Sequence, residues 1–245
     1  MVNFRIEVFS DTVCPWCYVG HHHLASAITT FQRTYPTHTF SINWKPFYLN
    51  PSSPTYPGIS KEAMYASKFP PQVLTQIRAR LNSVGAAAGI KFAHGGQTGN
   101  TRDSQILIHL VGKTFGSEAQ HKVMGRIFKG YFEEEGNPTD IVLLAKWATE
   151  GGGGEAEVKL RKEGEEAGRI VDREARWASD GGISGVPNFS INDRYELSGA
   201  QPVEEFVKVF KQVAGEAEKA EQSRKETLEA NEEEELNGQA CGSFP

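Results

Sequence analysis

The sequence predicts an α/β fold in which one sheet is interrupted by a long helical insertion. Three observations carry this: a strand-helix-strand pattern over residues 4–46, helical periodicity over most of residues 60–179, and two short strands followed by a helix over residues 188–213. The expected organisation is a first α/β segment over 1–58, an all-helical insertion over 59–180, a second α/β segment over 181–215, and an acidic, partly disordered tail over 216–245.

Phe4, Ile6 and Val8 alternate with Arg5 and Glu7, the period of a strand with one buried face. After Ser10-Asp11, the residues Leu24, Ala27, Ile28, Phe31 and Tyr35 recur at helical spacing, and Phe40, Ile42 and Trp44 restore the alternation before Pro46. A helical crossover between two strands makes them parallel neighbours. Within the insertion, Pro70-Pro71 suit a first helical turn, with Leu74, Ile77, Leu81, Val84 and Ala88 following and Gly89 as the stop. Thr101 is placed to cap a helix carrying Ile106, Leu110 and Val111. Ser117 and Gln120 have capping-box spacing ahead of Val123, Ile127 and Tyr131. Further helices are expected from Thr139 through Trp147 and from Ala156 to Ser179, with the run Gly151 to Gly154 as a flexible loop between them. That run follows a helix and lacks the Lys-Ser/Thr of a phosphate loop. Strands over Asn188–Asn192 and Arg194–Leu197 share an Asn192-Asp193 turn, and Val203, Phe206, Val207, Phe210 and Val213 give the closing helix its core face. Beyond Gly215 no apolar stripe continues. The segment is expected to fray from a solvated helix into disorder around Glu232 to Glu235.

The chain has 245 residues, 38% hydrophobic and 23% charged, which is ample for a core and far from a disordered composition. Net charge is 26 − 31 = −5. Residues 216–235 hold nine acids and three bases, a balance of −6, so the remainder is close to neutral. No extended basic surface for nucleic acid is expected, and no apolar run approaches the roughly 20 residues of a membrane span. The alternating N-terminus does not read as a signal peptide, so the expected location is cytoplasmic.

Of three cysteines, Cys14 and Cys17 form a Cys-Pro-Trp-Cys sequence where the first strand hands over to the first helix; Cys241 stands alone near the C-terminus. A thiolate at a helix N-terminus faces unpaired N–H groups and the positive end of the helix dipole, so Cys14 is the candidate nucleophile. Cys17, one turn later, is spaced to close a disulfide with it and to resolve a mixed disulfide. Pro15 needs no N–H partner in a first turn. A zinc site would need two further ligands, and consecutive His21, His22 and His23 point about 100° apart around a helix, so no metal is expected. Inert packing cysteines are the bland alternative. Asp11 is read as a helix cap ahead of a proton-transfer group, Glu7 and Lys45 as candidate buried proton-handling groups, and the three histidines as partly solvent-exposed. Trp44 is assigned to the core, and Cys241 is read as a bystander on a mobile tail. Pro187, after Gly185-Val186, reads on its own equally as an ordinary turn proline.

Taken together, Ser10-Asp11 through Cys14-Pro15-Trp16-Cys17, Trp44-Lys45-Pro46-Phe47 with Leu49 and Pro51, Asn100-Thr101, and Gly185-Val186-Pro187-Asn188-Phe189 through Ser198-Gly199-Ala200-Gln201 resemble the DsbA-like branch of the thioredoxin superfamily, in particular its FrnE-like group. The resemblance spans about residues 4–213. It implies a thioredoxin fold with an inserted helical subdomain, and a thiol-disulfide oxidoreductase with Cys14 as nucleophile and Cys17 as resolving thiol. It further implies that Pro187 is a cis-proline facing the cysteines, that Val186 presents backbone groups to an extended substrate, and that Pro15 and Trp16 contribute to substrate binding. No bound cofactor is expected; glutathione or another thiol is the candidate co-substrate. The expected partners are thiol- or disulfide-containing proteins or glutathione, with a homodimer as a candidate assembly.

The fold also resembles that of the 2-hydroxychromene-2-carboxylate isomerases and kappa-class glutathione transferases. Those typically carry serine at the position of Cys14, and the presence of both Cys14 and Cys17 tells against a glutathione-dependent isomerase or transferase. A non-enzymatic interaction module is the third reading, in which both cysteines are dispensable.

Overall fold

Alternation holds over the first part of the first strand: Phe4, Ile6 and Val8 are each 0% exposed, while Arg5 is exposed and Glu7 half-buried between them; beyond Val8 both Phe9 and Ser10 are buried. The computed structural model describes residues 1–154 and 156–240. In chain order it comprises β1 (Asn3–Ser10), α1 (Pro15–Thr34), β2 (Thr39–Pro46), β3 (Ile59–Ser60), α2 (Lys61–Lys68), α3 (Pro71–Ala88), β4 (Gln97–Thr98), α4 (Arg102–Phe132), α5 (Ile141–Glu150), α6 (Ala156–Asp180), β5 (Asn188–Ile191), β6 (Tyr195–Ser198) and α7 (Val203–Ala240).

The main sheet has the order β2-β1-β5-β6. β1 and β2 are parallel, with Phe4 opposite Phe40 and Val8 opposite Trp44, as a helical crossover requires. β5 returns antiparallel to β1 and pairs with β6 as a hairpin. Its turn uses Asn192 and Asp193 at φ 51° and 55°, a left-handed conformation that these two residue types tolerate best after glycine. One sheet face carries α1 and α7 around Phe4, Phe31, Phe206 and Phe210, and both α4 and α6 pack against β2.

Five helices, α2 to α6, separate β2 from β5 in the chain. α3 starts on Pro71 and stops at Gly89, which takes φ 77°. α4 is two segments joined at Gly116 (φ 85°, ψ 177°), where the periodicity separates two helices. The capping expectations there fail. Thr101 makes no cap bond, and Ser117 spends its hydroxyl on Ser41 (3.3 Å). Periodicity also gave no sign of the separate α2 or of the two-residue β3–β4 ladder, which are too short for a pattern to emerge. The Gly151–Gly154 run makes the α5–α6 turn, with Gly152 and Gly154 at φ 90° and 58°.

The acidic segment departs from expectation. α7 runs through it to Ala240, including Glu232 to Glu235, so the helix does not fray where the apolar stripe stops. Glu, Lys and Ala are strong helix formers, and pairs such as Glu221–Lys225 (3.4 Å) and Gln222–Glu226 (2.9 Å) support an exposed helix. Cys241 and the rest of the expected disordered end lie outside the described residues. Among the described residues no helix is long and apolar enough to cross a membrane.

Candidate active site

The turn between β1 and α1 brings the cysteines together. Cys14 occupies the N-cap position, its N–H bonded to the Asp11 carbonyl (3.0 Å) and its own carbonyl accepting from Cys17 (3.1 Å) and Tyr18 (3.3 Å). Pro15 opens the helix proper. Both thiols are free; Cys14 is 4% exposed and Cys17 0%. Burial pushes the Cys17 thiol well above its ordinary value, and the adjacent Cys14 sulfur pushes it the same way.

The Cys14 thiol points at the Val186 carbonyl (Sγ to O 3.6 Å), and the Val186–Pro187 peptide bond is cis. The segment can approach α1 this closely because residue 20 is glycine. A Cβ there would lie 2.9 Å from the Phe189 ring and 3.1 Å from Pro187 Cγ. Trp16 is half-buried, packed on the core at one edge, with the Arg80 guanidinium from α3 over its ring at 5.1 Å. A cleft of about 500 Å³ opens beside Pro15, between the chain leaving β2 and α2, with Leu49, Met64, Tyr65 and Thr101 among its walls. Tyr65 is close enough for its hydroxyl to be pushed up by burial and then by negative charge on Cys14.

Asp11 is not the helix cap. It is 1% exposed, and its carboxylate accepts from the Leu49 N–H (2.8 Å) and the Val13 N–H (3.4 Å), with the Thr101 hydroxyl and Thr12 N–H also bonded to it. Desolvation raises it to about 6, and the four hydrogen bonds limit the rise. Neighbouring contacts tie the same turn to the insertion. Thr12 and Ser104 share a hydroxyl contact of 2.7 Å, and Gln105 donates to the Ser10 carbonyl (2.8 Å). Sequence reasoning missed Ser104 and Gln105, although polar residues next to Ile106 and Leu107 on a buried helix face were the available signal.

Glu7 and Lys45 are not buried proton carriers. They pair with each other across β1 and β2 at 3.5 Å with side chains 31% and 30% exposed. Trp44 is core, 4% exposed, with its Nε1–H donating to His121 Nδ1 (3.2 Å). The three histidines diverge. His23 bonds the Gln201 carbonyl (2.8 Å), His22 packs edge-on to Tyr18, and His21 has both ring nitrogens buried without a partner, stacked on His121. Among the described residues no three His, Cys, Asp or Glu side chains are grouped to hold a metal ion.

A sheet of this order with a Cys-x-x-Cys at the start of its first helix and the carbonyl preceding cis-Pro187 against the Cys14 sulfur defines a thioredoxin-fold protein. The chain belongs to the family of the DsbA-like thioredoxin domain, whose family model matches residues 5–211. It is 27% identical over 206 residues to the uncharacterized protein YwbO of Bacillus subtilis, covering 78% of this chain and 88% of that one. Among solved structures it is similar to a probable DsbA oxidoreductase of Streptomyces coelicolor, with TM-score 0.73, 26% identity, and 87% and 91% of the two chains covered. It also shares the fold of the cytosolic disulfide reductase DsbM of Pseudomonas aeruginosa, with TM-score 0.58, 14% identity, and 86% and 98% covered.

Proposed function

We propose that this protein is a thiol-disulfide oxidoreductase acting on protein or small-molecule thiols and disulfides. The observation that carries the reading is the placing of Cys14 at the N-cap of α1, with Cys17 behind it and the Val186 carbonyl in front. In the reductive direction the Cys14 thiolate attacks a substrate disulfide, one substrate sulfur leaves as thiolate, and a mixed disulfide forms. Cys17 then attacks Cys14 Sγ, releasing the second substrate thiol and closing Cys14–Cys17. The Val186 carbonyl accepts an N–H from an extended substrate strand, while Pro15 and Trp16 bound the approach to the sulfur. Electrons move only between sulfurs, so the chemistry needs no resident cofactor; glutathione or a similar thiol serves to re-reduce the pair. A reductase or isomerase in a reducing compartment such as the cytoplasm is the direction we favour, by analogy with the DsbM fold.

The test is a redox titration of the Cys14–Cys17 pair in glutathione buffers, with Cys241→Ser so that one pair reports. A potential of about −270 mV marks a thioredoxin-like reductant and one of about −120 mV a DsbA-like oxidant. Failure to form any intramolecular disulfide overturns the assignment. The cleft beside Pro15 favours one second reading, a glutathione-dependent isomerase or transferase, since about 500 Å³ accommodates a small substrate. Turnover that survives both Cys14→Ala and Cys17→Ala would select it.

A further inference from the structure

The resolving step places a demand on Cys17 that the cysteine pair alone does not meet. Cys17 is 0% exposed, so no water shell stabilises its thiolate when it attacks Cys14. Among the groups near enough to act on it is the side chain of Ser10, the last residue of β1. It continues the inward set Phe4, Ile6, Val8 and is itself 0% exposed. Its backbone carbonyl is occupied, accepting from the Phe47 N–H (3.0 Å) and from Gln105 (2.8 Å), but its hydroxyl is buried and makes no hydrogen bond. A buried hydroxyl without a partner is unfavourable and rare in a folded chain. The anion this one could serve is the Cys17 sulfur. The balance of forces on that thiol agrees: burial and Cys14 oppose its ionisation, whereas the Ser10 hydroxyl and the Asp11 backbone favour it.

We propose that Ser10 is a positioning residue of the resolving step, its hydroxyl donating a hydrogen bond to the Cys17 thiolate as that sulfur attacks the Cys14–substrate disulfide. The inference rests on the oxidoreductase reading above. In the step, the Cys17–Cys14 sulfur bond forms and the Cys14–substrate sulfur bond breaks. The Cys17 sulfur is oxidised from the thiol to the disulfide level, the substrate sulfur is reduced from the disulfide to the thiol level and leaves, Cys14 stays at the disulfide level, and the proton lost by Cys17 is balanced by the one the leaving sulfur takes up. Ser10 keeps its own proton throughout. It acts on the second thiol of the pair and leaves the first attack untouched.

The experiment uses the reduced full chain carrying Cys241→Ser and the aryl disulfide dithiobis-nitrobenzoate. The first equivalent of coloured thiolate reports attack by Cys14, the second reports resolution by Cys17, and both are followed by stopped flow from pH 6 to 11, a range wide enough for the raised Cys17 thiol. With Ser10→Ala the second release is expected to slow about tenfold, with its pH midpoint about one unit higher, the effect of losing one hydrogen bond to a charged group. The first release stays within about twofold of the parent, since Ser10 has no part in that attack. Ser10→Thr keeps the hydroxyl and is expected to resolve near the parent rate; it decides the matter alone should the alanine chain not fold by circular dichroism. A parent-like second release and midpoint in Ser10→Ala, or slow resolution in a folded Ser10→Thr, overturns the role of Ser10. A parent chain that releases one equivalent and never closes Cys14–Cys17 overturns the oxidoreductase reading itself, a different result.

Discussion

Asp11 and His21 stand ten residues apart on either side of the first turn of α1, and both carry their polar atoms into the joint between sheet and insertion, yet they are treated oppositely. Asp11 has donors on every side, from Leu49, Val13, Thr12 and Thr101. His21 has none. Its ring stacks on His121 (centroids 4.5 Å apart, 16° between planes) and packs against Trp44 (5.7 Å), which also touches His121. Desolvation acts on both groups. The carboxylate rises only to about 6 because its acceptors are filled, whereas the imidazole is held well below its ordinary value and stays neutral. Burial alone therefore does not decide whether a charge survives in a core; the supply of matching partners does.

The largest expected effect comes from emptying the Asp11 site. Asp11→Ala leaves donors from three chain segments, at Thr12 and Val13, at Leu49 and at Thr101, without an acceptor, which should cost about 2–4 kcal/mol in urea denaturation at neutral pH. Asp11→Asn retains one acceptor oxygen and should cost about half as much. A loss below about 1 kcal/mol in the alanine variant would mean that water replaces the carboxylate, and the contrast with His21 would collapse.

Acid sharpens the comparison, because the two sites respond with opposite signs. Burial lowers His121, stacked on His21, to about 4 from the ordinary histidine value of 6.5. The unfolded chain then binds more protons, and stability is lost as pH falls from about 6.5 through 4, by about 3 kcal/mol at full extent. His21 adds loss of the same sign. Asp11 rises from 3.8 to about 6, so the folded chain binds more protons between those values and gains about 3 kcal/mol as pH falls through them. Titrating stability from pH 7 to 4 should show a steeper acid loss in Asp11→Asn and a shallower one in His121→Phe than in the parent. Equal slopes in all three would show that neither site carries its charge as described.

His21→Phe isolates the other half of the contrast. It keeps a flat ring against His121 and Trp44 but removes an unpartnered N–H, so a gain of about 1 kcal/mol at pH 7 is expected by thermal or urea denaturation. A loss would indicate a bonded water at the imidazole.

How much of this was readable in the residues follows the same line. The strand alternation, the break at Gly116, the Asn192-Asp193 turn and the seat of Cys14 all depend on neighbours in sequence, and all are found where the pattern places them. Asp11 looked like a cap because capping is local; its actual partners Leu49 and Thr101 are 38 and 90 positions away. His21 is partly exposed, as its place on α1 suggested, but the burial of its ring nitrogens was not readable, because the apolar stripe of α1 named only the face meeting the sheet. The other face is covered by α4, a contact that no pattern within α1 encodes. The unpartnered hydroxyl of Ser10 belongs to the same class: its burial is local, but what faces it is not.

Arg80 completes the comparison as a charge that never leaves water. It is exposed on α3 and lies over Trp16, so it is neither compensated like Asp11 nor excluded like His21. A cation–π contact at such a site is worth about 0.5–1 kcal/mol, and solvent screens the charge itself. Arg80→Ala should therefore change stability by no more than that, because Trp16 keeps its contact with the core. Its effect on reactivity separates two roles. If the guanidinium only covers the ring, the Cys14 reaction with an anionic disulfide keeps its rate. If the cation draws anionic substrates toward the sulfur, Arg80→Ala slows the reaction about two- to threefold at low salt, and the difference vanishes as ionic strength reaches about 1 M, where the Debye length falls to about 3 Å. We expect the second outcome, since the cation stands beside Trp16, one residue from the Cys14–Pro15 turn, with open solvent between it and an approaching ligand.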